Sequence, residues 1–402
     1  MAKLTPVATS TTYMRHLNER SVFHHVYAAG SISIPQLVTV SGLSKPTVSA
    51  AVTVLVDAGL VRRLGVRTGK AGRAPQLFGP EPTAGWVIVL DIGRRWVRLA
   101  LCDLVGDVVH LARVPSARDA EGLVGVIEDV VSSALTERSL TMTELLQVVV
   151  GSPGVYDPQE QSFKLASNLP GWEYALHVRK LAGFFAEAGG VRFENDVDLG
   201  ALGESARGLG RGIDNFVYLH IGSGVGAGIV LNGKPLRGAR GMAGEVAFMP
   251  VHPIPRLGLS QAVRDRGMLE TATAADALVD AARRHGLTSA TRAEDVLAAA
   301  EAGDVAARNI MADEARTLAL ALASVITVVD PELIILGGGV GGQLHDYIPA
   351  LRAELSKIVP FEPPRLAVST LGDQGILYGG VETGVELARE LALERRFTDG
   401  SG

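Results

Sequence analysis

Lys45, Thr47, Ser49 and Thr53 fall at the start or on the outer side of a short helical pattern, and Arg67, Lys70 and Arg73 crowd a glycine-containing tip soon after it. A helix can enter the DNA major groove and offer side chains to base edges, while basic groups hold phosphates. The four helix residues are therefore the candidate base readers, and the three cations the candidate phosphate or minor-groove contacts. The plain alternative is a charged surface on a small helical domain that binds no DNA. Agreement between turn, cap, inner apolar stripe and basic tip favours DNA reading.

The elements that must position these residues are legible in the punctuation. Residues 15–29 carry Leu17, Val22, Phe23, Val26 and Tyr27 and stop at Gly30, as a helix with a left-handed cap does. Ser33 and Gln36 have capping-box spacing, Pro35 fits a first turn, and Leu37 and Val40 follow. Ser41-Gly42-Leu43 makes a tight turn, and Ser44 caps a third helix with Val48, Val52 and Leu55 inside. Residues 59–65 and 74–78 read as a strand and its return, completing a winged helix-turn-helix, and Pro80-Glu81-Pro82 reads as a short stiff linker. One recognition helix covers a half-site, so a homodimer or homotetramer is expected on double-stranded operator DNA.

The chain has 402 residues, 47% hydrophobic and 20% charged, which suits several packed units and excludes a largely disordered chain. No uninterrupted run of about 18 apolar residues appears and the N-terminus lacks a secretory pattern, so a cytoplasmic protein without a membrane partner is expected. The single cysteine, Cys102, reads as a buried small hydrophobe and cannot form an internal disulfide. The net charge of −5 hides an asymmetry: residues 1–80 hold nine Lys/Arg against two Asp/Glu, leaving the remainder at −12. A basic head on an acidic body suits a head that meets a polyanion.

From Gly85 onward strand-like and helix-like patterns alternate, as in an α/β domain. Strands are expected at 86–91, 97–104 (joined by a Gly-Arg-Arg turn), 108–114, 146–150, 191–194, 216–221, 333–336 and 366–369. No fixed-period repeat is apparent. Asp91-Ile92-Gly93, Gly151-Ser152-Pro153-Gly154, Asn168-Leu169-Pro170-Gly171-Trp172, Glu194-Asn195-Asp196, Gly222-Ser223-Gly224-Val225-Gly226, Gly244-Glu245-Val246, Gly267-Met268-Leu269-Glu270 and Asp330-Pro331 through Gly337-Gly338-Gly339 follow one another in order. With the head before them, they resemble the ROK family of repressors, open reading frames and kinases.

That resemblance implies residues 1–80 as the DNA-binding domain, followed by a two-lobed actin-like ATPase (sugar-kinase-like) fold. The first lobe is expected over 85–205 and the second over 206–402, with a C-terminal helix packing back on the first. It implies a cleft in which Asp196 holds the position of a kinase's general base, while Gly154, Asn168, Asn195, Asp196, Glu245 and Glu270 meet sugar hydroxyls. Asp91, Gly93, Gly222, Gly224 and Gly338 fall on the nucleotide loops. Two departures from the family follow. The kinases usually continue the first loop as Gly-Gly-Thr, whereas Arg94 and Arg95 follow Gly93 here, and bulky side chains should obstruct ATP alignment. Phe248, Gln261, Val263 and Met268 stand where the family's structural zinc has one His and three Cys, so no metal and no cofactor is expected. The implied function is a sugar-responsive repressor of carbohydrate-metabolism genes, taking a sugar or sugar phosphate in a cleft without catalytic residues. An active sugar kinase with a DNA-binding head is one alternative, and a regulator controlled by a protein partner is the other. Residue by residue, a bland role stays open: Asp196 as a helix cap, Glu245 or Glu270 paired with arginines, Gly224 and Gly226 shaping a hairpin, Trp172 in the core.

Overall fold

The computed structural model describes residues 11–66, 75–166, 169–254 and 258–399. Arg67, Lys70, Arg73 and Asn168, named above as contacts, lie outside the described residues.

The head comprises α1 (Thr11–Ala29), β1 (Ile32–Ser33), α2 (Ile34–Ser41), α3 (Lys45–Asp57), β2 (Val61–Val66) and β3 (Gln76–Pro80). Its caps follow the sequence. Gln36 Oε1 accepts from the Ser33 amide at 3.0 Å and from its hydroxyl at 2.7 Å, and Gly42 closes α2 at φ +68°. Val22, Phe23, Val26, Leu37, Val48, Val52 and Leu55 are buried together. Two expectations need correction. The strand set at 59–65 begins only at Val61, because Gly59 at φ +69° belongs to the turn that ends α3. Pro80 is no linker residue: it ends β3 and pairs with Val61, and Pro82–Ala84 then make one 3-10 turn.

The body begins with β4 (Trp86–Ile92), β5 (Trp96–Asp103), β6 (Val108–Pro115), α4 (Ala120–Glu137), β7 (Leu145–Ser152), β8 (Val155–Asp157), β9 (Ser162–Lys164), α5 (Ala175–Phe184), β10 (Val191–Asn195) and α6 (Asp196–Arg207). It continues with β11 (Phe216–Ile221), β12 (Val225–Leu231), β13 (Lys234–Pro235), α7 (Gln261–Arg266), α8 (Met268–Thr273), α9 (Ala275–Arg284), α10 (Ala293–Glu301), α11 (Val305–Val329), β14 (Leu333–Gly337), α12 (Gly338–Gly341), α13 (Ile348–Ile358), β15 (Arg365–Val368) and α14 (Gly375–Asp399). One sheet runs β10-β7-β4-β5-β6 and the other β13-β12-β11-β14-β15. In each, three antiparallel strands form a meander and two parallel strands extend it on the other side. The architecture is therefore duplicated, although no repeat shows in the residues. Cys102 is fully buried in β5.

Two glycines let α14 lie directly on α6. A Cβ at Gly379 would sit 1.8 Å from the Leu199 carbonyl oxygen, and one at Gly203 would sit 2.0 Å from that of Gly375. The same helix covers β4 and β7 and reaches the head, so Val22 and Phe23 share a continuous core with Val381 and Leu393. Polar contacts reinforce the junction. Arg20 and His24 pair with Glu390 at 2.5 and 3.2 Å, the Arg389 guanidinium lies 4.9 Å from the Tyr27 ring centre, and the Tyr27 hydroxyl donates to the Leu60 carbonyl at 3.1 Å. Among the described residues, no single helix is long and apolar enough to cross a membrane.

Candidate functional site

A cleft of about 700 Å³ is lined by the strand ends and turns of both sheets. At its floor β10 passes into α6. Asn195 caps that helix: its Oδ1 accepts from the Val197 and Asp198 amides at 2.9 and 3.0 Å, and its Nδ2 donates to the Gly154 carbonyl at 3.0 Å. The cap role weighed for Asp196 thus belongs to its neighbour. Asn195 instead ties the Pro-Gly segment to α6, and Gly154 must be glycine because, at φ +90°, a Cβ would meet the Lys164 carbonyl at 2.5 Å. Asp196 lines the cleft as the first residue of α6.

Three carboxyls share this floor, and burial is the main cause that raises each of them. Burial, with the charges of Asp91 and Glu245 nearby, pushes Asp196 up to about 8. Burial also raises Asp91 to about 6 although Arg98 donates to it at 2.9 Å, and burial together with Asp198 and Glu270 raises Glu245 to about 7. Such an acid-rich pocket suits hydroxyl-bearing ligands, since protonated carboxyls both donate and accept. Glu270 is less free than its assignment implies. Its Oε2 accepts from the Val225 amide at 3.1 Å and its Oε1 from Arg266 at 2.9 Å, so it also holds the second glycine turn in place.

On the opposite side, Gly93 donates its amide to the Trp96 carbonyl at 2.9 Å, closing the β4–β5 turn. Gly222 and Gly224 form the β11–β12 turn, with the Gly222 amide donating to the Gly224 carbonyl, and Gly338 opens α12 at φ +83°. The hairpin reading of Gly224 and Gly226 therefore describes their local geometry, and both line the cleft. Between these loops lies His220, which burial and the charge of Arg98 lower to about 4, keeping it neutral. The sequence reading missed it, although strand alternation from Tyr218 was the available signal. Glu194, the first residue of the Glu194-Asn195-Asp196 run, is buried and gripped by Arg237 at 2.5 and 3.1 Å and by Arg192 at 2.7 Å. Trp172 is core, its indole donating to the Ser152 hydroxyl at 2.9 Å.

The positions aligned with a zinc site do not fit that ion. Phe248 and Val263 have no donor atom, the Gln261 amide donates to Asp265 at 2.6 Å, and the Met268 thioether is packed in the core.

In the head, Lys45 and Thr53 are exposed and Ser49 half-exposed on α3, with Pro46 and Ala50 on the same outer face. Thr47, expected with them, lies within hydrogen-bond reach of the Ser44 hydroxyl at 2.8 Å and lines a groove shared with α1, so it reinforces the cap. Exposed Arg62 and Arg63 on β2 are further cations that the sequence pattern does not single out. Arg62→Ala is expected to weaken binding to all duplexes and reduce its salt dependence, whereas Ser49→Ala shifts sequence preference. Electrophoretic mobility shifts on specific and scrambled duplexes at two salt concentrations check this, and identical behaviour of the two variants would overturn the division of roles.

The chain is similar along nearly its whole length to a xylose repressor of Caldicellulosiruptor bescii, at 25% identity over 92% of this chain and 95% of the relative. A glucokinase of Halalkalibacterium halodurans is 28% identical over 73% of this chain and 94% of its own. Among solved structures, a ROK family transcriptional regulator described as a homolog of the E. coli MLC protein superposes over 96% of this chain and 100% of its own (TM-score 0.74, 22% identity). A ROK hexokinase from Thermus thermophilus superposes over 74% and 97% (TM-score 0.58, 26% identity). Residues 16–74 match the MarR family model, and residues 87–381 match that of the ROK family. Most of the chain is covered by that last match, and the protein belongs to the ROK family.

Proposed function

We propose that this protein is a sugar-responsive DNA-binding repressor of carbohydrate-metabolism genes, in which a sugar or sugar phosphate occupies the cleft beside Asp196 and Glu245 and no phosphoryl group is transferred. Gly154, Asn195 and Glu270 complete the sugar side, and Asn168, a sugar contact by resemblance, lies outside the described residues. The protein acts in the cytoplasm as a homodimer or homotetramer on operator DNA. One observation carries the reading: a continuous packed path joins the cleft to the head. Asp196 opens α6, α6 lies on α14 through Gly203 and Gly379, and the far end of α14 holds α1 through Arg389 and Glu390. A ligand that favours one lobe arrangement thereby changes the placement of the DNA heads, by as much as its affinities for the two arrangements differ. Support for the regulator over the kinase comes from coverage. The xylose repressor aligns through the head, whereas the glucokinase aligns with 73% of the chain. The Arg94-Arg95 turn on the nucleotide side agrees.

The test measures operator affinity and sugar heats for the wild type and Arg389→Ala across a panel of pentoses, hexoses and their phosphates. At least one sugar is expected to change wild-type operator affinity. Arg389→Ala should keep that sugar's affinity within about twofold while losing about half or more of the coupling free energy to DNA. Indifference of the operator complex to the whole panel, or ATP-dependent sugar turnover abolished by Asp196→Asn, would overturn the reading.

A further inference from the structure

The two arginines that replace small residues in the first loop reach across the cleft. Arg94 Nη1 lies 2.6 Å from Asp276 Oδ2, in the first turn of α9, and Arg95 Nη1 lies 3.5 Å from Glu294 Oε1, in the first turn of α10. The arginines sit on the β4–β5 turn of one sheet, and their partners stand on helices of the other lobe. The Ala275 amide, next to Asp276, donates to the Gly222 carbonyl at 2.8 Å, so the first pair joins the two glycine turns that flank the cleft. Both partners stand in the first turn of a helix, where the helix dipole favours carboxylates.

We propose that Arg94–Asp276 and Arg95–Glu294 form an inter-lobe clasp that closes the cleft by the protein's own charges, in place of a bridging nucleotide. All four side chains are at least a third exposed. An exposed pair shifts an equilibrium by no more than about fivefold, so the two together supply up to about 25-fold, a bias that one differentially bound ligand can reverse. The clasp also has a route to the DNA head. On β5, Arg98 bridges Asp91 at 2.9 Å and Asp373 at 3.2 Å, and Asp373 lies in the turn that leads into α14. Salt should therefore loosen the free protein's closed state, since about 0.5 M salt screens partly exposed charges strongly. The clasp rests on the sugar-cleft reading only for its effect on ligand release.

Spin labels at Glu121→Cys on α4 and Ala298→Cys on α10, both exposed, report the inter-lobe distance in the full chain, with Cys102 buried and unlabelled. Without sugar, the wild-type distribution is expected to be short and narrow at low salt and to lengthen at about 0.5 M NaCl. Arg94→Glu with Arg95→Glu should be long at both salts, and adding Asp276→Arg with Glu294→Arg should restore the short distance. Identical distributions for the wild type and the double arginine variant, or failure of the charge swap to restore closure, would overturn the clasp. A clasp that responds as expected in a protein giving no heat with any sugar upholds this proposal and refutes the sugar reading. Where a sugar binds, its dissociation should be about fivefold faster or more in the double arginine variant, and an unchanged rate removes the clasp's role in ligand release.

Discussion

Gly379→Ala is expected to lower the free energy of unfolding by about 3 kcal/mol and to blunt any effect of sugar on DNA binding. The new methyl would stand 1.8 Å from the Leu199 carbonyl oxygen and 2.6 Å from its carbon, both in the backbone of α6. No rotamer change can relieve a clash with helix backbone, so α6 and α14 must separate. Separation removes contacts along the most extensive helix pair in the protein and strains the neighbouring fit, where a Cβ at Gly380 would already meet Val89 at 2.2 Å. Urea denaturation followed by circular dichroism measures the loss. Gly125→Ala, at a helical glycine of α4 where an added Cβ meets nothing within 4 Å, is the matched control and should be neutral or stabilising. A Gly379→Ala protein as stable as this control would mean that α14 does not lie on α6 as described, and the path from cleft to head would lose its middle link.

That crossing shows where sequence reading stops. The head was legible because its information is local: Ser33, Gln36, Gly42 and Ser44 each act on a backbone group within four residues. Strands such as Phe216–Ile221 and Leu333–Gly337 were legible because buried strands are short apolar runs. The cleft was legible only as an ordered set of motifs, since Asp91, Asp196 and Glu245 meet through tertiary folding. Contacts between distant residues left no local trace. Nothing about Glu390 announces Arg20 and His24, and nothing about Arg94 announces Asp276, 182 positions away. Thr47 and Asn195 show a subtler limit: polar residues at functional positions were also the residues that finish helix caps. The duplicated sheet topology escaped because strand order, rather than residue identity, is what repeats.

The cleft carboxyls give the second large effect, and its sign is opposite to that of ordinary surface acids. Asp196 is raised from 3.8 to about 8, Glu245 from 4.5 to about 7 and Asp91 from 3.8 to about 6. Below about pH 3, under the ordinary values of 3.8 and 4.5, both folded and unfolded chains hold these protons, and the groups contribute nothing. As pH rises, the unfolded chain releases its protons first while the folded chain retains them, so ionisation favours unfolding and stability falls. The fall ends near pH 8, where Asp196 ionises in the folded state too and the penalty becomes constant. A tenfold difference in proton affinity between folded and unfolded chains corresponds to about 1.4 kcal/mol, and part of the Asp196 loss depends on the charges of Asp91 and Glu245. Asp196→Asn should therefore change stability by less than about 1 kcal/mol near pH 4 and raise it by about 2–4 kcal/mol near pH 8. Thermal unfolding of the wild type, Asp196→Asn and Asp91→Asn from pH 4 to 9 measures the difference. A difference between wild type and Asp196→Asn that stays flat with pH would mean that Asp196 is ionised throughout the range. The floor of the cleft would then carry a fixed charge at Asp196, and a neutral sugar would have to displace water from that charge instead of meeting a carboxyl that still holds a proton to donate.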